Sequence, residues 1–275
     1  MKMHIMPIRR NLKFHVPDEK VLNWHSWGPT VTQFFNTLSL FFPEGERFFI
    51  NSVRKYRDRI DDPELQEAVR AFIGQEAMHG REHEDYNQKM VEAGLPVDTQ
   101  EAIVSKLLDV VSKYTPNALQ LSATVALEPL TAILADILLR EPDLIDDSDE
   151  SYQRLWHWHA LEETEHKAVA FDVYQEQVGN YWVRTSEMAF TTLEFISFTI
   201  FHYHQLRKGM DDPTDWRSVR GGVNWLLGKP GWLRKLGKSY LAYYKRDFHP
   251  AKRDSTFLRK QGLKKLSRML DRSDL

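Results

Sequence analysis

Two Glu-x-x-His motifs, Glu76-Ala-Met-His79 and Glu163-Thr-Glu-His166, constrain this chain more than any other feature. Residues three and four apart on an α-helix share a face, so each motif sets a carboxylate beside an imidazole. His159 lies four residues before Glu163 and extends the second stripe by one turn. Burying such groups without partners is costly, and a divalent metal satisfies them together. A single copy suits a solvated helix face equally well. A second copy at the same spacing, also in a helical stretch, favours metal.

The chain has 275 residues, enough for a sizeable core, and no cysteine. Disulfides, thiolate metal sites and a cysteine nucleophile are therefore excluded, and a cytoplasmic location is expected. The N-terminal MKMHIMPIRRNLKF is basic but lacks the apolar core of a signal peptide. Segment 188–206 reads as the most apolar run. Glu194, His202 and His204 within it argue for a buried helix rather than a membrane span. The net charge of −2 hides an asymmetry: from Arg207 onward there are 18 basic against 7 acidic residues. The remainder carries 19 basic and 32 acidic residues. An acidic body with a basic, aromatic-rich tail is expected to fold back on itself, with contact to a membrane surface as the alternative. No groove-reading motif points to nucleic acid.

The pattern predicts an all-α chain in three parts: an N-terminal arm (1–28), a helical bundle (29–208) and a basic helical extension (209–275) packed on the bundle. Helices are expected at about 29–60, with a kink or break near Pro43 and Gly45, then 63–93, 98–114, 116–140, 149–178 and 182–208. Beyond 208, short helices and turns are expected. Asp62-Pro63 is a helix start, and Gly94 and Gly179 are helix stops.

Paired Glu-x-x-His motifs, with one Glu from each of two further helices, form the ligand set of dimetal-carboxylate four-helix bundles. Glu128 is the only charged residue between Pro116 and Asp136, in a stretch apolar on nearly every side. It must be paired, protonated or metal-bound. The first helix offers Glu44 and Glu46. Glu46 shares its stripe with Phe42, Phe49 and Val53 and is preferred; Glu44 is the reserve. At about 1.5 Å per residue, Glu46 and Glu76 lie roughly 20 Å from their shared turn, and Glu128 and Glu163 are level in the same way.

At these residues the chain resembles the ferritin-like dimetal-carboxylate proteins. More narrowly, it resembles the bacterial family of predicted metal-dependent hydrolases, through FPEGERFF (42–49), QEAMHGREH (75–83) and EETEH (162–166). Its ligand spacing is also similar to that of p-aminobenzoate N-oxygenase-type diiron enzymes, which add a third histidine at the position of His159. The resemblance implies Glu46, Glu76, His79, Glu128, His159, Glu163 and His166 as ligands of two divalent metal ions, taken as iron, with manganese or a mixed pair as the alternative. His83 is read as a further ligand, a donor behind the ligands or a surface histidine, the last preferred. The expected activity is O2-dependent oxidation of a small organic substrate, with an electron donor as partner. Hydrolysis by a bridging hydroxide is the alternative, and metal storage without catalysis the third reading.

Overall fold

The computed structural model describes residues 5–210, 216–229 and 231–271. Among them the chain is all-α, with no strand. The bundle is built from α1 (Pro29–Arg54), α2 (Pro63–Glu92), α3 (Val97–Tyr114), α4 (Asn117–Arg140), α5 (Glu150–His166), α6 (Val169–Gln177) and α7 (Tyr181–Arg207). The C-terminal part adds α8 (Trp216–Leu227), α9 (Gly237–Ala242) and α10 (Thr256–Asp271). Local chemistry sets the ends. Asp62 accepts from the Glu64 amide at 3.0 Å with Pro63 in the first turn, and Asp149 caps α5 in the same way. Gly94, at φ 87°, takes the left-handed turn that ends α2.

Helix α1 packs on α2, and α4 packs on α5. Among the described residues the apolar core falls into two large clusters and a small third one around Ala126, Met188 and Tyr243. One large cluster contains Phe35, Leu38, Tyr86, Ala135, Trp156 and Trp158. The other contains Phe49, Val53, Phe72, Val125 and Phe171. On α1, α2 and α4 the switch from one cluster to the other falls at residues 46, 76 and 128, and between α5 and α6 it falls at 163–166. A layer of ionisable side chains therefore crosses the bundle at one level, as the depth of the four acids predicts.

Three expectations need correction. Of the kink or break expected near Pro43 and Gly45, the break does not occur: α1 is one continuous helix, and it ends at Arg54 rather than near Ile60. Pro43 has no N–H for the Ser39 carbonyl, but the Asn87 amide donates to that carbonyl at 3.2 Å. Pro129 in α4 is treated alike: the Tyr243 hydroxyl donates to the Val125 carbonyl at 3.1 Å. The segment expected as one helix over 149–178 is two, α5 and α6, separated at Lys167 and Ala168. The Lys167 ammonium is drawn to the Arg253 carbonyl and to Ser255 Oγ at 2.7 Å. Finally, α7 is not a buried helix: Phe190, Leu193 and Ile200 are 57%, 66% and 65% exposed. Apolar residues surround that helix, so periodicity did not reveal which side meets the core. Helix α4 is the one described helix long and apolar enough to cross a membrane, and 67% of its apolar window is buried in the protein.

The basic C-terminal segment meets acids of the bundle. Lys235 pairs with Glu141 at 2.8 Å, and Arg253 and Lys265 pair with Asp136 and Asp146.

Candidate metal centre

The two Glu-x-x-His motifs face each other across antiparallel helices. His166 Nε2 of α5 lies 3.0 Å from Glu76 Oε1 of α2, and His79 Nδ1 lies 3.7 Å from Glu163 Oε1. One turn further out, His83 Nε2 and His159 Nδ1 are 2.9 Å apart. The register pairs each acid of one motif with the histidine of the other. Glu128 of α4 reaches His166 Nε2 at 3.7 Å, and Glu163 Oε1 lies 3.2 Å from the same nitrogen. His159 Nε2 lies 3.3 Å from Glu163 Oε1.

Seven side chains thus converge, and their donor atoms fall into overlapping groups. Within 4.8 Å of one another lie one ligand atom each of Glu46, His79 and His159, of Glu76, His79 and Glu163, and of Glu76, Glu128 and His166. Glu46 is the acid of α1 that faces this layer. Glu44 instead pairs with Arg47 at 2.6 Å. Gly80 makes room for Glu46, since a Cβ there would sit 3.2 Å from Glu46 Oε2.

The protein's own hydrogen bonds do not satisfy these groups. Both oxygens of Glu46 and Glu76, Oε2 of Glu128 and Glu163, Nδ1 of His79 and Nε2 of His166 are buried without a hydrogen-bond partner. Natural proteins rarely leave so many polar atoms unpaired at one place. The donor set of four carboxylates and three imidazoles fits two hard or borderline divalent cations. Without a cation, burial drives Glu46 and Glu76 well above the usual carboxylate range, reinforced by the neighbouring acids. Burial also pushes Glu128 up to about 8, partly opposed by His166. Glu163 goes the other way: burial opposes its charge, but the charge of His166, with His159 beside it, outweighs that cost. His166 loses by burial and gains more from Glu163 and Glu128, reaching about 9. Burial holds His79 low, with His159 adding to the effect.

A supporting layer, missed from the sequence, fixes the imidazoles. Glu162 Oε2 lies 3.2 Å from His79 Nε2, while Trp158 donates to Glu162 Oε1 at 2.9 Å. Arg10 of the N-terminal arm forks onto Glu165 at 2.8 and 2.9 Å and reaches Glu162 at 3.1 Å. Gln75 Oε1 lies 3.0 Å from His166 Nδ1, and Gln75 Nε2 donates to Glu165 at 3.0 Å. The acid-rich EETEH hinted at this layer; Arg10, from an irregular segment, left no periodic signal. His83 is not a surface histidine. It is fully buried, between His159 and Ser39 Oγ at 2.8 Å, with Phe42 packed 4.5 and 4.4 Å from the two imidazole rings. His157, on the opposite side of α5, lies 3.2 Å from Asp146 instead.

Beside the layer is a small cavity of about 90 Å³, with His159 and Glu163 in its wall. Phe35, Phe42, Leu134 and Trp156 line it, and Thr131 is the one hydroxyl-bearing side chain among the described lining residues.

A family model described as predicted metal-dependent hydrolase matches residues 8–254. The chain belongs to that family, and the matched span includes all seven converging residues as well as Arg10. Comparison with curated proteins and with solved structures gives no match.

Proposed function

We propose that this chain is an enzyme working through two divalent cations held between α1, α2, α4 and α5. Glu46, Glu76, His79, Glu128, His159, Glu163 and His166 would hold them. The observation that carries this reading is the convergence of buried, unpartnered carboxylate and imidazole atoms from four helices. Bound cations would supply Lewis acidity and an activated water for hydrolysis, the activity that the family description supports.

The chain's own residues do the rest. Four carboxylates balance the charge of two divalent cations, so the loaded layer is close to neutral inside a low-dielectric core. Glu162, braced by Arg10, holds the His79 ring so that Nδ1 points inward. Gln75 and His83 orient His166 and His159 in the same way. Phe42 and Trp156 shield the imidazoles from bulk water.

A second reading has its own support. Almost every side chain around the small cavity is aromatic or aliphatic, and among the described residues none is a Lys or Arg that would steady a charged leaving group. That lining suits oxidation of a small organic substrate with O2 at a diiron, manganese or mixed centre fed by an external electron donor. Anaerobic titration with Fe(II) and with Mn(II), followed by assays for p-nitrophenyl ester hydrolysis and for O2 uptake, tests both. Two cations per chain are expected. Ester turnover without O2 uptake supports hydrolysis, and O2 uptake without ester turnover supports oxidation. Failure to bind either metal at saturating concentration sinks the proposal.

A further inference from the structure

A second cavity, of about 650 Å³, opens between α1, α4, α7, α8 and the turn at Trp232–Leu236. This is the size of a small-molecule site. Its wall includes Leu130, Ile133, Ile196, Ile200 and Leu227, and no charged side chain lines it among the described residues. Phe34, Leu38, Leu134, Phe195, Leu226 and Leu236 line this cavity and the 90 Å³ cavity beside His159 and Glu163 alike. The two spaces are therefore neighbours that share these apolar walls, the larger bordered by exposed residues and the smaller by His159 and Glu163. At the outer end, Ile196, Ile200 and Leu227 are 50%, 65% and 53% exposed. The inner space holds on the order of three water volumes. That is room for a methylene chain and too little for a fused ring system.

We propose that this pair of cavities is the binding site for the aliphatic chain of the substrate, which is a medium- or long-chain amphiphile. The inference rests on the metal-centre reading only for the chemistry at the inner end. The duct itself is a property of the apolar walls. Contact of chain methylenes with those walls would supply most of the affinity, so binding should depend on chain length.

The test is calorimetric titration of the full chain with 1-octanol, 1-decanol and 1-dodecanol, on metal-loaded and chelator-treated protein. Affinity should rise about tenfold for every two methylenes in both forms. Leu134→Trp, which adds bulk to the shared wall, should weaken dodecanol binding at least tenfold, whereas Leu134→Ala should not. Ile200→Asp, at an exposed position that tolerates a charge, should weaken it from the other end without threatening the fold. Affinity independent of chain length, or dodecanol binding undiminished in both Leu134→Trp and Ile200→Asp, overturns the proposal. If two cations bind and no length dependence appears, the duct is wrong and the metal centre stands. Length-dependent binding in a protein that takes up no metal reverses that outcome.

Discussion

Glu128 shows most plainly what a single residue contributes. It is a buried acid whose Oε2 has no hydrogen-bond partner, held up to about 8 by burial against an ordinary value of 4.5. Between those values the unfolded chain has released a proton that the metal-free folded chain keeps, so raising the pH through that window removes stability. Chelator-treated protein should therefore melt at lower temperature as pH rises from 5 to 8. Glu128→Gln should flatten this slope and, in metal-loaded protein, weaken cation binding. Melting curves with and without chelator check both, and an unchanged slope in the variant contradicts the assignment. His159 and His157 make a second comparison at this scale. They are two residues apart on α5, yet His159 joins the cluster while His157 meets Asp146. His159→Ala should alter the EPR spectrum of Mn(II)-loaded protein and abolish turnover, and His157→Ala should leave both nearly intact. Equal effects would remove His159 from the ligand set. Which side chains converge was legible at this scale because spacing and apolar context mark buried acids. The partners Arg10, Gln75 and Glu162 were not, because each acts across tertiary contacts that no local period records.

At the scale of elements, two prolines sit beside the acids of α1 and α4, and each helix continues because another part of the chain satisfies the freed carbonyl. Asn87 serves Ser39, and Tyr243 serves Val125. Tyr243→Phe leaves a buried acceptor unpaired and should cost about 1–3 kcal/mol in denaturant unfolding. Tyr240→Phe removes only the bond to the partly exposed Tyr244 hydroxyl and should cost under about 1 kcal/mol. Equal costs would mean that the Val125 contact contributes nothing special. Helix positions, caps and the relative depth of the acids were readable from periodicity, Asp62-Pro63 and Gly94. The continuity of α1 was not, since a sequence shows the proline and hides its rescuer 44 residues away. The separation of α5 from α6 was hidden for a similar reason: Lys167 is pulled aside by residues 253 and 255 of the C-terminal segment.

For the whole molecule, charge and polarity are distributed in two ways that a sequence only half reveals. The basic tail was expected to meet the acidic body, and three of its cations do lie against bundle acids. The apolar segment 188–206 was expected to be a buried helix, yet much of it faces outward beside the larger cavity. Between the two large apolar clusters, the ionisable layer is the costliest part of the fold without cations, so metal removal should be felt globally. At a free-cation concentration about 100 times the dissociation constant, binding adds roughly 2.7 kcal/mol of stability, and chelation should lower the melting temperature accordingly. The most direct test is an anomalous-difference map from crystals grown with Mn(II). Two peaks are predicted, about 3.5–4 Å apart, within bonding distance of Glu46, Glu76, His79, Glu128, His159, Glu163 and His166. A single peak, or none within about 3 Å of these side chains, would contradict the dinuclear centre.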